Sequence, residues 1–312
     1  MVTSAQAAQR TATAVRTVTD GVTTFAVVDN PGGPTLSYIP GGGITLLTES
    51  TAAGTLTFKD FDADGQLDAF EDWRKPVNER AKALAAVLSI EQIAGLMLFS
   101  SHERNLAAGL TTAQRTYLSQ DRLRNVLNAS ANDVTANVTW TNAAQAYAES
   151  LATAAEPYIP VNISSDPRST AGSDTAYNAA GADISRWPSN IGLAATFSGD
   201  AMLEFAKITS QEYRAMGITT ALGPQIDLAT EPRWLRVDGT FGENVDLATT
   251  MATNYVEGSQ NTYDANGTSV GWGGDSITTM IKHWPGDGAG EGGREAHLNA
   301  GKYAVYPGNN FA

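Results

Sequence analysis

The sequence predicts an α/β fold built from repeated βα units around a parallel sheet. Three observations predict it: beyond residue 76, apolar runs of strand length alternate with helical stretches, those stretches keep apolar residues on one face, and capping residues mark their ends. At 312 residues, with 42% hydrophobic and 17% charged residues, the chain can bury one large domain and carry a short extension.

Residues 1–58 read as a β-rich N-terminal extension. From residue 14 they are rich in Thr, Val and Gly, turn signals stand at Asn30-Pro31-Gly32-Gly33 and Gly41-Gly42-Gly43, and 23–28 fits a strand. An Asp-dense loop occupies 59–75. Pro76 then opens a helix in which Ala81, Leu84, Val87 and Leu88 recur at helical spacing, and Ser89 with Gln92 forms a capping box for the next. Strands are expected at 95–99, 125–128, 160–164, 219–226 and 278–283. Helices are expected at 141–155 and 245–258. The clearest helix aligns Met202, Phe205, Ala206, Thr209, Tyr213 and Met216, with Asp200 placed to cap its start and Gly217 placed for a left-handed end. Core packing is the plain reading of these stripes. A closed (β/α)8 TIM-type barrel needs eight strands. Five strands make 76–312 an incomplete barrel, with 306–312 reading as a loop.

Composition removes several functions. The balance of 33 acidic against 20 basic residues, a formal charge of −13, offers no cationic surface for nucleic acid. No Cys is present, which excludes disulfides, thiolate catalysis and Cys-based metal centres. No uncharged apolar stretch approaches 18 residues, so no membrane span is expected, and 1–13 lack the apolar core of a signal peptide.

The segment from Asp60 to Glu71 matches the twelve-residue EF-hand loop. Asp60, Asp62 and Asp64 converge because Gly65 lets the backbone fold back, Gln66 offers its carbonyl, Asp68 acts directly or through water, and Glu71 closes the shell. Leu67 is expected as the buried apolar anchor. The plainer alternative is a solvated acidic turn, but carboxylates this close repel one another unless a cation neutralises them. One Ca2+ ion is expected here as a structural staple, since the loop is single and Pro76 cuts short the exiting helix.

Four later stretches carry chemistry. The run from Ile159 through Asn162 and Ser165 to Asp166-Pro167-Arg168 ends a strand in an acid. Ile226-Asp227 leads to Glu231-Pro232-Arg233-Trp234-Leu235-Arg236 and Phe241-Gly242-Glu243. Met280-Ile281-Lys282-His283-Trp284-Pro285-Gly286 is followed by Gly292-Gly293-Arg294-Glu295-Ala296-His297 and a final segment through Tyr306-Pro307-Gly308. Together, and with Phe70-Glu71-Asp72-Trp73-Arg74, they resemble glycoside hydrolase family 3, the β-glucosidase and exo-glucan hydrolase type, from about residue 58 to the end. The resemblance implies a TIM-type barrel whose substrate is a β-glucoside or β-glucan oligosaccharide. Residues at the C-terminal ends of barrel strands gather over one face, and a pyranose hydroxyl both donates and accepts. By that reading Asp166 can accept while Arg236, Lys282 and His283 can donate, and the resemblance implies that these four hold the terminal non-reducing glucose-like unit in the −1 subsite. Arg294 and His297 are candidate further contacts. The duller readings are an Asp166–Arg168 ion pair and a surface Lys282–His283 pair, while Trp187, Trp234 and Trp284 either stack on sugar or pack.

A retaining glycosidase needs two carboxyl groups roughly 5 Å apart. The resemblance puts the nucleophile in an Asp-Trp pair on a later strand and the acid/base in a following domain. Asp72-Trp73, the only such pair, belongs to the acidic-loop region and is a poor candidate. The chain is thus expected to need a missing C-terminal part of the same protein and to be inactive alone. The competing readings are a non-catalytic carbohydrate-binding protein and a calcium-stapled adhesion module. A low-affinity calcium loop suits an extracytoplasmic setting.

Overall fold

A computed structural model of the chain describes residues 15–130, 133–166, 183–284, 288–303 and 308. Strands β1 (Val15–Thr19), β2 (Thr24–Val28), β3 (Leu36–Tyr38), β4 (Thr45–Thr51) and β5 (Gly54–Asp60) come first, then helices α1 (Val77–Val87) and α2 (Ile90–Leu96). β6 (Phe99–Glu103), α3 (Thr112–Ser119), β7 (Asn125–Asn128), α4 (Val134–Glu149) and β8 (Asn162–Ser165) follow, and after them α5 (Asn190–Ala194), α6 (Gly199–Ala215), β9 (Thr220–Ala221) and α7 (Val245–Gln260). The hairpin β10 (Thr262–Tyr263) and β11 (Ser269–Gly271) precedes β12 (Thr278–Thr279). The described residues form two compact units, the first drawn from 15–100, 109–125 and 142–161, the second from 101–108, from 126–141 and from residue 162 onward.

In the first unit β1, β2 and β3 form an antiparallel sheet and β4 pairs with β5. The Asp20 side chain accepts from the amides of Val22 and Thr23 at 2.8 and 2.7 Å and so closes the β1–β2 turn. Trp73 stacks on Phe58 at 5.4 Å and donates its ring N–H to the Thr57 carbonyl at 3.0 Å. Gly33 leaves room for that ring, since a Cβ there would sit 2.4 Å from it. Asp72 is buried and paired with Arg74 at 2.8 Å, so the Asp72-Trp73 pair is structural here. Ser89 and Gln92 make the expected reciprocal cap of α2. That helix runs through Leu96, so the strand expected at 95–99 begins instead at Phe99. Gly95 is a packing residue of the helix, where a Cβ would lie 2.4 Å from the Arg122 carbonyl oxygen.

The second unit contains the body of the predicted parallel sheet, in the order β12-β9-β8-β7-β6. Thr220 and Ala221 pair in parallel with Thr278 and Thr279 on one side and with Ser164 and Ser165 on the other. β7 falls on the expected 125–128. β9 is shorter than the expected 219–226, since Pro224 offers no N–H to a ladder. The helix expected at 141–155 starts earlier because Asp133 caps it, accepting from the Ala136 amide at 2.7 Å. α6 is capped by Ser198, not Asp200, and Gly217 ends it at φ 77° as expected. α7 is capped by Asn244. Leu193, Met202, Phe205, Phe241, Met251 and Tyr255 fill the core between α5, α6 and α7. The β10–β11 hairpin, not anticipated, turns on Asp264, whose side chain accepts from the amides of Asn266 and Thr268, both at 2.9 Å.

Candidate functional site

The sheet of the second unit delivers the candidate residues. Ser164 and Ser165 give their hydroxyl protons to the Val126 and Asn128 carbonyls at 3.1 and 2.7 Å, which pins the end of β8 and the acid after it. The buried Tyr213 hydroxyl then donates to the Asp166 carbonyl at 3.1 Å. Beyond the short ladder of β9 and β12 the two chains stay in step. Lys282 N–H donates to the Pro224 carbonyl at 3.0 Å, and Ile226 N–H donates to the Lys282 carbonyl at 2.8 Å. The next residues on each chain, Asp227 and His283, therefore stand side by side. The Lys282–His283 peptide bond is cis.

Three polar contacts result. Lys282 Nζ pairs with Asp166 Oδ1, both side chains being 17% exposed. His283 Nδ1 lies 2.7 Å from Asp227 Oδ2, its backbone N–H donates to Asp227 Oδ1 at 3.0 Å, and Arg236 Nη1 approaches its Nε2 at 3.0 Å. Buried Glu295 accepts from the Trp234 ring N–H at 2.6 Å and pairs with His297 Nδ1. Burial pushes the Glu295 carboxyl up, but hydrogen bonds from His297 and Trp234 and the charge of Arg236 outweigh it and hold it below the usual carboxylate range. Arg236 thus links the second contact to the third.

Of the residues singled out from sequence, Asp166, Arg236, Lys282 and His283 are joined by these contacts and by the chain step from Lys282 to His283. His297 joins through Glu295, with its side chain exposed. Arg294 is exposed, and its backbone carbonyl accepts from Gly290 at 2.9 Å. Arg168, Pro285 and Gly286 lie outside the described residues, as do the 304–307 and 309–312 parts of the final segment. Trp234 is buried and Trp187 packs edge-on against Phe205 at 5.5 Å, so both belong to the packing, whereas Trp284 is exposed. Sequence reasoning missed Asp227 and Glu295. Asp227 carried a readable signal, an acid ending an apolar run as Asp166 does; Glu295 carried none beyond its Gly-rich loop.

The acidic loop lies in the first unit. Carboxylate oxygens of Asp60, Asp62 and Glu71 come within 4.8 Å of one another, as do those of Asp62, Asp64 and Asp68. Asp60 accepts from the amides of Asp64 and Gly65 at 3.1 and 3.0 Å, and Glu71 spans the loop, accepting from Phe61 at 2.6 Å and Asp68 at 2.9 Å. Gln66 gives its side-chain amide to Asp64 at 3.2 Å. Burial, with the charges of Asp60 and Asp62 added, lifts Glu71 to about 7. Asp62 and Asp68 are raised by burial and by neighbouring carboxylates. An oxygen-only, anionic and partly buried set of this kind fits a hard divalent cation. Leu67, the expected anchor, is only half-buried; Phe70 is the buried apolar residue of the loop, 6.4 Å from Phe61.

The profile of the glycosyl hydrolase family 3 N-terminal domain matches residues 65–304, and the chain belongs to that family. It is 40% identical over 262 residues to a periplasmic β-glucosidase/β-xylosidase of Dickeya chrysanthemi, a match covering 82% of this chain and 39% of that protein. It is 40% identical over 153 residues to β-glucosidase C of Emericella nidulans, covering 49% and 24%. Among solved structures, a β-glucosidase of Erythrobacter marinus superposes with a TM-score of 0.59 at 25% identity, over 73% of this chain and 28% of that one. The chain thus spans well under half the length of these relatives.

Proposed function

We propose that this chain is the sugar-holding part of a retaining β-glucosidase, gripping a terminal non-reducing β-D-glucosyl unit with Asp166, Arg236, Lys282 and His283. The observation that carries the reading is the convergence of an acid just after β8, an arginine from the segment that follows β9 and a lysine and an imidazole from the segment that follows β12. Carboxylate acceptors facing charged donors suit the paired donor–acceptor character of vicinal hydroxyls. Arg294 and His297, from the Gly-rich loop, are assigned further contacts to the substrate.

The carboxylates that cleave the bond are assigned to chain beyond residue 312, which makes this polypeptide inactive alone. Two features support an unfinished barrel. Among the described residues β12 is an edge strand, and next to it a groove of about 550 Å3 is lined by Ile226, Leu228, Ala248, Ala252, Val256 and Ile281. An apolar groove beside an open parallel edge suits the next crossover helix of a βα repeat, and we assign it to the remaining part of the same protein. The acidic loop is assigned one Ca2+ ion, held by Asp60, Asp62, Asp64, Asp68 and Glu71 with the Gln66 carbonyl, acting as a structural staple. With the periplasmic relative, that ion favours an extracytoplasmic protein.

Titration with gluconolactone by calorimetry tests the grip: binding by the intact chain and its loss in Lys282→Ala support it, and no binding by a folded sample overturns it. Release of nitrophenol from a nitrophenyl β-glucoside above the Lys282→Ala background would overturn the assignment of catalysis to missing chain.

A further inference from the structure

Asp227 lies in the interior of the site. Its side chain has no exposure to solvent, and its two oxygens both serve His283: Oδ1 takes the backbone N–H at 3.0 Å and Oδ2 faces ring Nδ1 at 2.7 Å. On the far side of the ring, Arg236 Nη1 stands 3.0 Å from Nε2. A guanidinium carries only donors. Nε2 therefore meets it with a lone pair; a proton on that nitrogen would point at another proton and oppose two positive charges. The ring proton is left on Nδ1, where a buried carboxylate receives it in a charge-assisted bond. In an unconstrained imidazole the Nε2–H form is the more abundant, so this arrangement has to be imposed.

We propose that Asp227 is a positioning residue that fixes His283 as the Nδ1–H tautomer and so turns its Nε2 into an acceptor aimed at the Arg236 guanidinium. This corrects the donor role expected for His283 from the sequence. It also deepens the sugar-binding reading, on which its functional consequence rests. The four side chains then form two acceptors, Asp166 and His283, and two donors, Lys282 and Arg236, each acceptor beside a donor. A hydroxyl that replaces the direct His283–Arg236 contact gives its proton to Nε2 and takes one from the guanidinium, which satisfies both halves of its hydrogen-bonding capacity. Replacing the tautomer would set two donors against each other and leave the hydroxyl proton without a taker, a cost of the kind that follows an unpaired buried polar group.

The test is 15N NMR of the full chain labelled only at histidine rings. Three histidines are present, and His102→Gln and His297→Gln variants assign the remaining signal to His283. The expected wild-type pattern is a protonated Nδ1 and a bare Nε2 shifted far downfield. Asp227→Asn is expected to move that pattern toward the Nε2–H form, whereas Arg236→Met leaves it in place. A wild-type Nε2–H pattern overturns the proposal, and so does a variant set in which Arg236→Met flips the ring and Asp227→Asn does not. If Asp227→Asn fails to fold, hydrogen exchange of the wild-type Nδ1 proton decides: protection is expected for a proton held by a carboxylate sealed from water, and exchange at the rate of an exposed imidazole overturns the idea. These spectra need no sugar. A correct tautomer without gluconolactone binding removes the sugar-binding reading alone, and gluconolactone binding with the wrong tautomer removes this one alone.

Discussion

The Asp166–Lys282 pair is where the site can be weighed most directly, through a double-mutant cycle of Asp166→Asn and Lys282→Met. Each side chain is 17% exposed, so the pair stands between two known regimes. Exposed ion pairs contribute about 0–1 kcal/mol, whereas removing one partner of a buried pair costs about 3–5 kcal/mol because the other charge is stranded. A coupling of about 1–3 kcal/mol is therefore expected, with either single variant nearly as destabilised as the double. Urea unfolding followed by tryptophan fluorescence, at equal m values, measures it. On the proposed sugar-binding reading, the same Lys282→Met change removes a charged donor to the ligand, worth about 1.5–3 kcal/mol. Gluconolactone affinity should then fall by roughly one to two powers of ten. Coupling indistinguishable from zero, or unchanged affinity in a folded Lys282→Met protein, would refute the reasoning that one contact both builds and serves the site.

Adding Ca2+ to chelator-stripped protein should raise Tm, by the equivalent of about 2.7 kcal/mol when free ion is a hundredfold above Kd. Asp60→Asn should abolish the rise, and calorimetry showing no heat would end the assignment. Glu295 has a folded pKa below its ordinary 4.5, so its stabilising contribution is present above that value and is lost as pH falls through the lower folded value. Glu295→Gln should accordingly flatten the acid limb of a Tm–pH curve, and an unchanged limb counts against the Trp234–Glu295–His297 contacts. Gly217→Ala should cost about 1–3 kcal/mol, combining a left-handed residue at φ 77° with a Cβ 2.4 Å from Thr141 Cγ2. A Thr141→Ser background should recover only the steric share, as chemical denaturation can measure.

How much of this was legible beforehand depended on whether the signal was local. β7 at 125–128 and the stripe of α6 are spoken for by their own apolar residues, and both fell where periodicity put them. The strand expected at 95–99 failed because Gly95-Leu96-Met97 reads equally as an apolar strand or the end of a helix. The cap at Ser89 decides for the helix, and the Arg122 backbone requires the glycine. The four residues joined by the site contacts were singled out through short motifs in the segments that follow strands. Asp227 and Glu295 were not, because their role is to hold other side chains, and that is visible only once segments distant in sequence meet. The direction of the His283 hydrogen bonds was likewise beyond reach of the sequence, since it depends on what stands at each ring nitrogen.

Gly258 on α7 lies so close to α6 that a Cβ there would be 2.6 Å from Ala206 Cβ and 2.8 Å from the Leu203 carbonyl oxygen. Helices in such contact cannot loosen separately, and their backbone amides should exchange with deuterium as one cooperative block. Phe241 packs into the same block, five residues after Arg236, so an event that frees α6 and α7 should also loosen the segment that carries the arginine. The grip on a ligand would then last as long as that block stays shut, and a ligand bound to Arg236 would in turn slow deuterium uptake in two helices it never touches.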